Sequence, residues 1–368
     1  MLFRLLPVLL ISIGLFASSS GTARADAAGS KTDHKALAKA ALTEVVQPGY
    51  TAFAADAEAL KGKTTALCDA PSEKALKTAR RAFVDTVKSW SAVEIYQFGP
   101  VNRNNRYERL FFWPDRKGLG LRQVQRALSA NDETVTDAAS LAKKSVALQG
   151  LTALEYLFYG EGAAGLAAPG DEGAFRCKFA SAVATRIAIV SKEVAEAWET
   201  DAPFTKEFLS PGPDDPLYRT PKDVTLELAK PVSGGIERVS DQKLGRILGN
   251  SAEQARPRLA PFWLSNQSFN NMAGNLEAVQ KLFVDAGFAQ IVKSESSGIE
   301  GSILFYLKRG AKELSGETEP IAEVVTNKEQ RDRLAALRLA LDSTAELASE
   351  HIAAGAGLSF GFNAADGD

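Results

Sequence analysis

Histidine and cysteine are scarce in this chain. Its 368 residues hold two histidines, His34 and His351, and two cysteines, Cys68 and Cys177. So few histidines leave no His-Glu-x-x-His zinc pair. His34 lies close to the expected mature N-terminus. His351 follows Glu350 near a helix end, where a protonated imidazole suits the helix dipole. No phosphate-binding loop or nucleophile elbow occurs, and no Cys-His pair can be argued, so the common hydrolase motifs are missing. The 43 Lys and Arg nearly balance 45 Asp and Glu, a net charge of −2. Without a basic stripe, nucleic acid is excluded as a partner. Strand-like alternation is absent and β-branched runs are short, which leaves helices.

The first residues read as a secretory signal. Arg4 supplies the positive start, Leu5 to Phe16 a short apolar run, and Ala23-Arg24-Ala25 a small-x-small cleavage pattern. Cleavage is expected after Ala25, and losing Arg4 and Arg24 takes the net charge from −2 to −4. The leader has no cysteine for a lipid anchor, and no later apolar run is long enough to span a bilayer. The mature protein is therefore expected to be exported, periplasmic and not membrane-spanning. In an oxidising compartment an even cysteine count favours a Cys68–Cys177 disulfide. Two free buried thiols are the alternative, because spacing alone does not bring two Cα atoms together.

The rest reads as successive helices. Asp33 to Lys61 is apolar-periodic, with Pro48 expected to kink it. Ser72 can cap a helix running to about Phe98. Gly99-Pro100 opens a loop to Asp115, rich in arginine and aromatic residues. A short helix near 121–128, one over Val135 to Tyr159 and one over Ala174 to Trp198 complete a first bundle, residues 26–205 after the signal of 1–25. Five prolines between Pro203 and Pro221 mark the connection. The second bundle, 206–368, takes helices over Asp223 to Leu248, Ser268 to Ala286, Gly298 to Leu314 and Lys328 to Ala354. An aromatic loop from Arg256 to Asn266 interrupts them. The expected fold is all-α, with two four-helix-bundle-like halves packed together.

Two acids sit on apolar helix faces. The stretch Ser145 to Phe158, read as helix, aligns Leu148, Leu151 and Phe158, and Glu155 shares that face. Glu94 interrupts the stripe Leu76, Phe83, Val87, Trp90 in the same way. An inward carboxyl is costly unless it is paired or hydrogen-bonded. Gly150, read as mid-helix, costs about 1 kcal/mol against alanine and implies a close neighbour. Glu94, Asp115, Thr152 and Glu155 form an oxygen-rich set, which suits hard cations, ferric iron among them, more than zinc. An ordinary structural role for both acids, paired within the core, is the alternative.

The run Gly150-Leu151-Thr152-Ala153-Leu154-Glu155 resembles the Gly-x-His-x-x-Glu motif of the imelysin-like family. Trp90 to Pro100, Phe112-Trp113-Pro114-Asp115, Trp263 to Ser268 and the ending Gly361 to Asp368 resemble its other blocks, in order. The resemblance implies two helical bundles, a functional site where they meet, and a periplasmic role connected with iron uptake. The family was first classed with metallopeptidases, but Thr152 stands at the histidine position, and a threonine hydroxyl is a poor metal ligand.

The expected function is a non-enzymatic binding or accessory protein of iron uptake or homeostasis. Its site would be lined by Glu155, Thr152, Gly150, Glu94, Trp113, Asp115, Arg103, Arg106 and Arg109. Glu155 and Glu94 would hold iron or another hard cation, and the arginines an anionic chelator. A metal-dependent peptidase and an interaction module docking a membrane component of iron uptake through its two aromatic loops are the alternatives.

Overall fold

The computed structural model describes residues 32–358. The leader with its cleavage point after Ala25 and the closing Gly361 to Asp368 block lie outside the described residues, within which every regular element is helical.

Helix α1, His34–Ala40, starts on the Asp33 carboxylate, which accepts from the Lys35 and Ala36 amides. It runs through a π turn, Ala41–Val46, into α2, Gln47–Asp69. Pro48 lacks an amide donor, and the helix widens just before it rather than breaking. Helix α3, Glu73–Val93, is capped by the Ser72 hydroxyl and stops short of Phe98. Helices α4, Leu119–Ser129, α5, Gly150–Tyr159, and α6, Asp171–Ala197, follow. A capping box between Thr220 and Asp223 starts α7, Pro221–Glu237, which continues into a second π turn, Arg238–Gly245. Helices α8, Ser268–Asp285, α9, Ile299–Ser315, and α10, Lys328–Ala356, complete the main set.

The packing makes two four-helix groups. In the first, α2 lies against α3 and α6, and α5 against α6; in the second, α7 packs on α8 and α10, and α9 on α8 and α10. Helix α3 crosses to α8, and this contact is the seam. Gly274 makes it close, since a Cβ there would stand 2.8 Å from that of Ser91. Helix α1 packs on α7, so the N-terminal helix is shared between the groups.

Cys68 at the end of α2 and Cys177 in α6 form a disulfide, 109 residues apart in sequence. Closing such a loop restricts the unfolded chain, at most by ~4.7 kcal/mol on the chain-entropy account. The proline-rich connection is packed: it contains the helix Pro203–Leu209, and Phe208 meets Trp198 at 5.5 Å between ring centres.

The sequence reading fails over 135–149 and holds from Gly150 to Tyr159. A continuous helix is expected there; the chain instead forms short turns at Glu133–Val135, Ala138–Leu141 and Val146–Leu148 before α5 begins at Gly150. Gln149 is extended and Gly150 takes φ +77°, neither compatible with a helix running through.

Candidate functional site

Helix α5 is buried on almost every side, by α6, α4 and α3 of its own half and by the Arg256 to Asn266 loop of the second half, which reaches Glu155. Ser265 in that loop donates its amide and its hydroxyl to Glu155 Oε1, at 2.8 and 2.7 Å. Glu155 is 4% exposed. Burial pushes its carboxyl up to about 7, and the Ser265 hydrogen bonds only partly offset that.

Beside Glu155 lies a cavity of about 270 Å³. Thr152 and Tyr156 of α5 line one side, Phe112, Trp113, Asp115 and Arg116 another, and Arg258 to Leu264 a third. The Trp113 indole donates to the Leu259 carbonyl at 2.9 Å, which fixes this wall across the seam. Phe111 stacks on Phe262 at 5.1 Å. Asp115 accepts from the amides of Leu119, Gly120 and Leu121 at 2.6, 2.8 and 3.4 Å, so its carboxylate serves the start of α4.

Glu94 stands elsewhere, fully buried at the seam. Lys243 of the second π turn places Nζ 2.7 Å from Glu94 Oε1. Asn271 of α8 donates to Glu94 Oε2 at 2.8 Å and Asn275 at 3.3 Å. The same two asparagines accept from Lys243 at 2.6 and 2.5 Å and reach Ser91, so the network closes on itself. Burial alone would raise the Glu94 carboxyl, but Lys243, Arg238 and these hydrogen bonds hold it below its ordinary value. Burial draws the Lys243 ammonium down to about 8 against the pull of Glu94.

The structure therefore separates the expected site residues. Glu155, Thr152, Trp113 and Asp115 share the cavity; Glu94 does not line it. Gly150 stands at the foot of α5, against the Arg109 and Leu110 carbonyls. None of the three loop arginines lines the cavity. Arg103 lies over the Phe204 ring, Arg106 pairs with Glu193 at 3.0 Å, and Arg109 has a buried Nε. Arg116 and Arg258 line the cavity instead. The sequence reading missed Ser265, Lys243, Asn271 and Asn275. A signal for Lys243 was present: Ile236, Val239, Lys243 and Ile247 recur at three and four, which puts a lysine on an apolar face.

Glu155 gives a stability test. An acid whose folded value lies above its unfolded one binds more protons when folded, so stability falls as pH rises between the two. For Glu155 that window runs from 4.5 to about 7. The variant Glu155→Gln carries no such charge. Its stability relative to wild type should rise across this window by up to roughly 3 kcal/mol, measured by urea unfolding at several pH values. A pH-independent difference would show that Glu155 ionises as freely in the fold as outside it.

The imelysin family model, of the peptidase M75 group, matches residues 46–348. The chain belongs to the imelysin family. Among solved structures it is similar to an imelysin-like protein from Psychrobacter arcticum 273-4, with a TM-score of 0.72 at 17% identity over 91% of this chain and 99% of that one. It is also similar to a candidate iron-regulated protein A precursor from Parabacteroides distasonis ATCC 8503, with a TM-score of 0.70 at 13% identity over 87% and 95% of the two chains. At such identities the likeness is one of fold, an imelysin-like all-helical architecture. No curated protein matches the chain.

Proposed function

We propose that this imelysin is an exported, periplasmic binding or accessory protein of iron uptake or homeostasis, acting without catalysis. Its ligand occupies the cavity beside Glu155. The observation that carries this is an acid buried under a loop from the opposite half, facing a cavity that both halves build. The signal-like leader and the iron-regulated name given to one structural neighbour support export and the link to iron. No helix among the described residues is long and apolar enough to cross a membrane.

The donors fit a chelate better than a bare cation. Among the described residues no three His, Cys, Asp or Glu side chains come together to hold a metal ion. Glu94 already holds Lys243, and Asp115 holds three amides. The peptidase reading needs about three ligands around an open position and finds little support in these residues. Docking through exposed aromatic loops also lacks support, since Phe111 and Phe262 are buried against each other.

Calorimetric titration of the mature chain with ferric citrate, and with ferric and divalent salts, tests the proposal. Saturable binding of an iron species is expected, at least about tenfold weaker in Glu155→Gln, about 1.4 kcal/mol of binding energy. Equal binding by variant and wild type would remove this cavity from consideration. Chelator-sensitive cleavage of unfolded proteins would overturn the non-catalytic reading.

A further inference from the structure

The walls of the cavity say more about its ligand than its one acid does. Five of the twenty lining residues are aromatic, Phe112, Trp113, Tyr156, Phe262 and Trp263, in a chain that is 8% aromatic. A volume of about 270 Å³ has room for one substituted ring. Ring faces attract another flat ring by offset or edge-to-face stacking.

The lining charges differ in whether they already have partners. Four lining residues are charged, Asp115, Glu155, Arg116 and Arg258. The Asp115 carboxylate is occupied by backbone amides. Glu155 is buried and bound to Ser265. Arg116 and Arg258 are exposed at their ends and, among the described residues, pair with no carboxylate. Arg258 lies over the Trp263 ring at 5.5 Å, which leaves its guanidinium edge free to take an anion. Behind the opposite wall the Arg246 guanidinium stands 5.9 Å from the Trp113 ring, while Lys243 Nζ, 5.6 Å from it, is already paired with Glu94. The charge left without a counter-ion at the cavity is thus that of the arginines, which suits an organic anion better than a bare metal cation.

We infer that the cavity binds a small aromatic carboxylate, its ring against the aromatic lining and its carboxylate on Arg116 and Arg258. This inference rests on the proposed site and narrows its ligand class. Iron enters, on this account, as a passenger on the organic acid.

Salicylate, benzoate, cyclohexanecarboxylate and benzylamine, each free of iron, are the probes. Titrations of the mature chain are followed by calorimetry and by tryptophan fluorescence. Salicylate and benzoate should bind saturably, with a Kd below ~1 mM. Cyclohexanecarboxylate should bind about tenfold more weakly, having charge without a ring face, and benzylamine not at all. The surface variant R116A/R258A should lose at least about tenfold in salicylate affinity while keeping its unfolding midpoint. Equal affinity for benzoate and cyclohexanecarboxylate, or an unchanged R116A/R258A, would overturn the inference. So would a ferric salt that binds at Glu155 while no aromatic acid binds, a result that leaves the iron reading standing. Salicylate binding with no response to any iron species would support the inference and defeat the iron reading.

Discussion

Replacing Lys243 by methionine is expected to destabilise the protein by about 3–5 kcal/mol, although methionine matches the lysine stem in length and flexibility. The loss comes from what Lys243 leaves behind. Its Nζ is fully buried and satisfies Glu94, Asn271 and Asn275 together. Without it a buried carboxylate keeps two amide donors and Arg238, whose guanidinium is 3.9 Å away. The two asparagine oxygens lose their donor as well. Each such orphan costs about 1–3 kcal/mol, more for the charged one. Urea unfolding of Lys243→Met measures the loss. Adding Glu94→Gln to that background should recover part of it, so that the double variant loses less than the sum of the singles. A single-variant loss under about 1 kcal/mol would mean that the pair behaves like a solvated surface bridge. The pair joins α3 of one half to the π turn and α8 of the other. Weakening it therefore acts on the seam itself, and the midpoint should fall without a second transition.

The sequence carried the two inward acids but not their partners. Glu94 and Glu155 each interrupt an apolar stripe, and burial follows from that position alone. What satisfies them lies 110 residues away or more, in Ser265 for Glu155 and in Asn271 and Asn275 for Glu94. No local pattern encodes such distances. The helices were legible wherever their apolar period was long, as in α8, where Phe269, Met272, Leu276, Val279 and Phe283 are all buried. They were not legible over 135–149, where the chain breaks into short turns and the geometry at Gln149 and Gly150 delays the helix to 150. The arginines Arg103 and Arg106 belong to the right loop but turn to other partners, and Arg109 does not line the cavity either. Loop side chains follow a backbone path that periodicity does not describe, and Arg116, one residue past the family-like Phe112-Trp113-Pro114-Asp115 block, is the loop arginine that lines the cavity.

Gly150 concentrates that geometry, and Gly150→Ala is expected to destabilise the protein by about 2–5 kcal/mol. Two effects add. At φ +77° an alanine pays roughly 1–2 kcal/mol for the left-handed conformation. Its Cβ would also lie 2.5 Å from the Leu110 carbonyl oxygen and 2.6 Å from that of Arg109. Those atoms are backbone and cannot rotate away, so the overlap moves the chain, at about 1–3 kcal/mol for overpacking. Gly120→Ala is the control. There the added Cβ would meet Phe112 Cδ1 at 3.2 Å and Asp115 Oδ2 at 3.3 Å, side-chain atoms at longer range and with no positive φ, so its loss should be smaller by half or more. The displacement at Gly150 has a direction. Leu110 leads straight into Phe111, Phe112 and Trp113, so pushing the Arg109–Leu110 turn off α5 shifts the aromatic wall opposite Glu155. Gly150→Ala should therefore weaken ligand binding even where the protein remains folded, whereas a residue that only stabilised α5 would change the unfolding midpoint alone. Urea unfolding and salicylate titration of the same preparations separate the two, and an alanine variant with wild-type stability would show that the Arg109–Leu110 turn yields freely. The family-motif glycine is then explained by contact: it lets the start of α5 sit directly on the turn that carries the wall of the cavity.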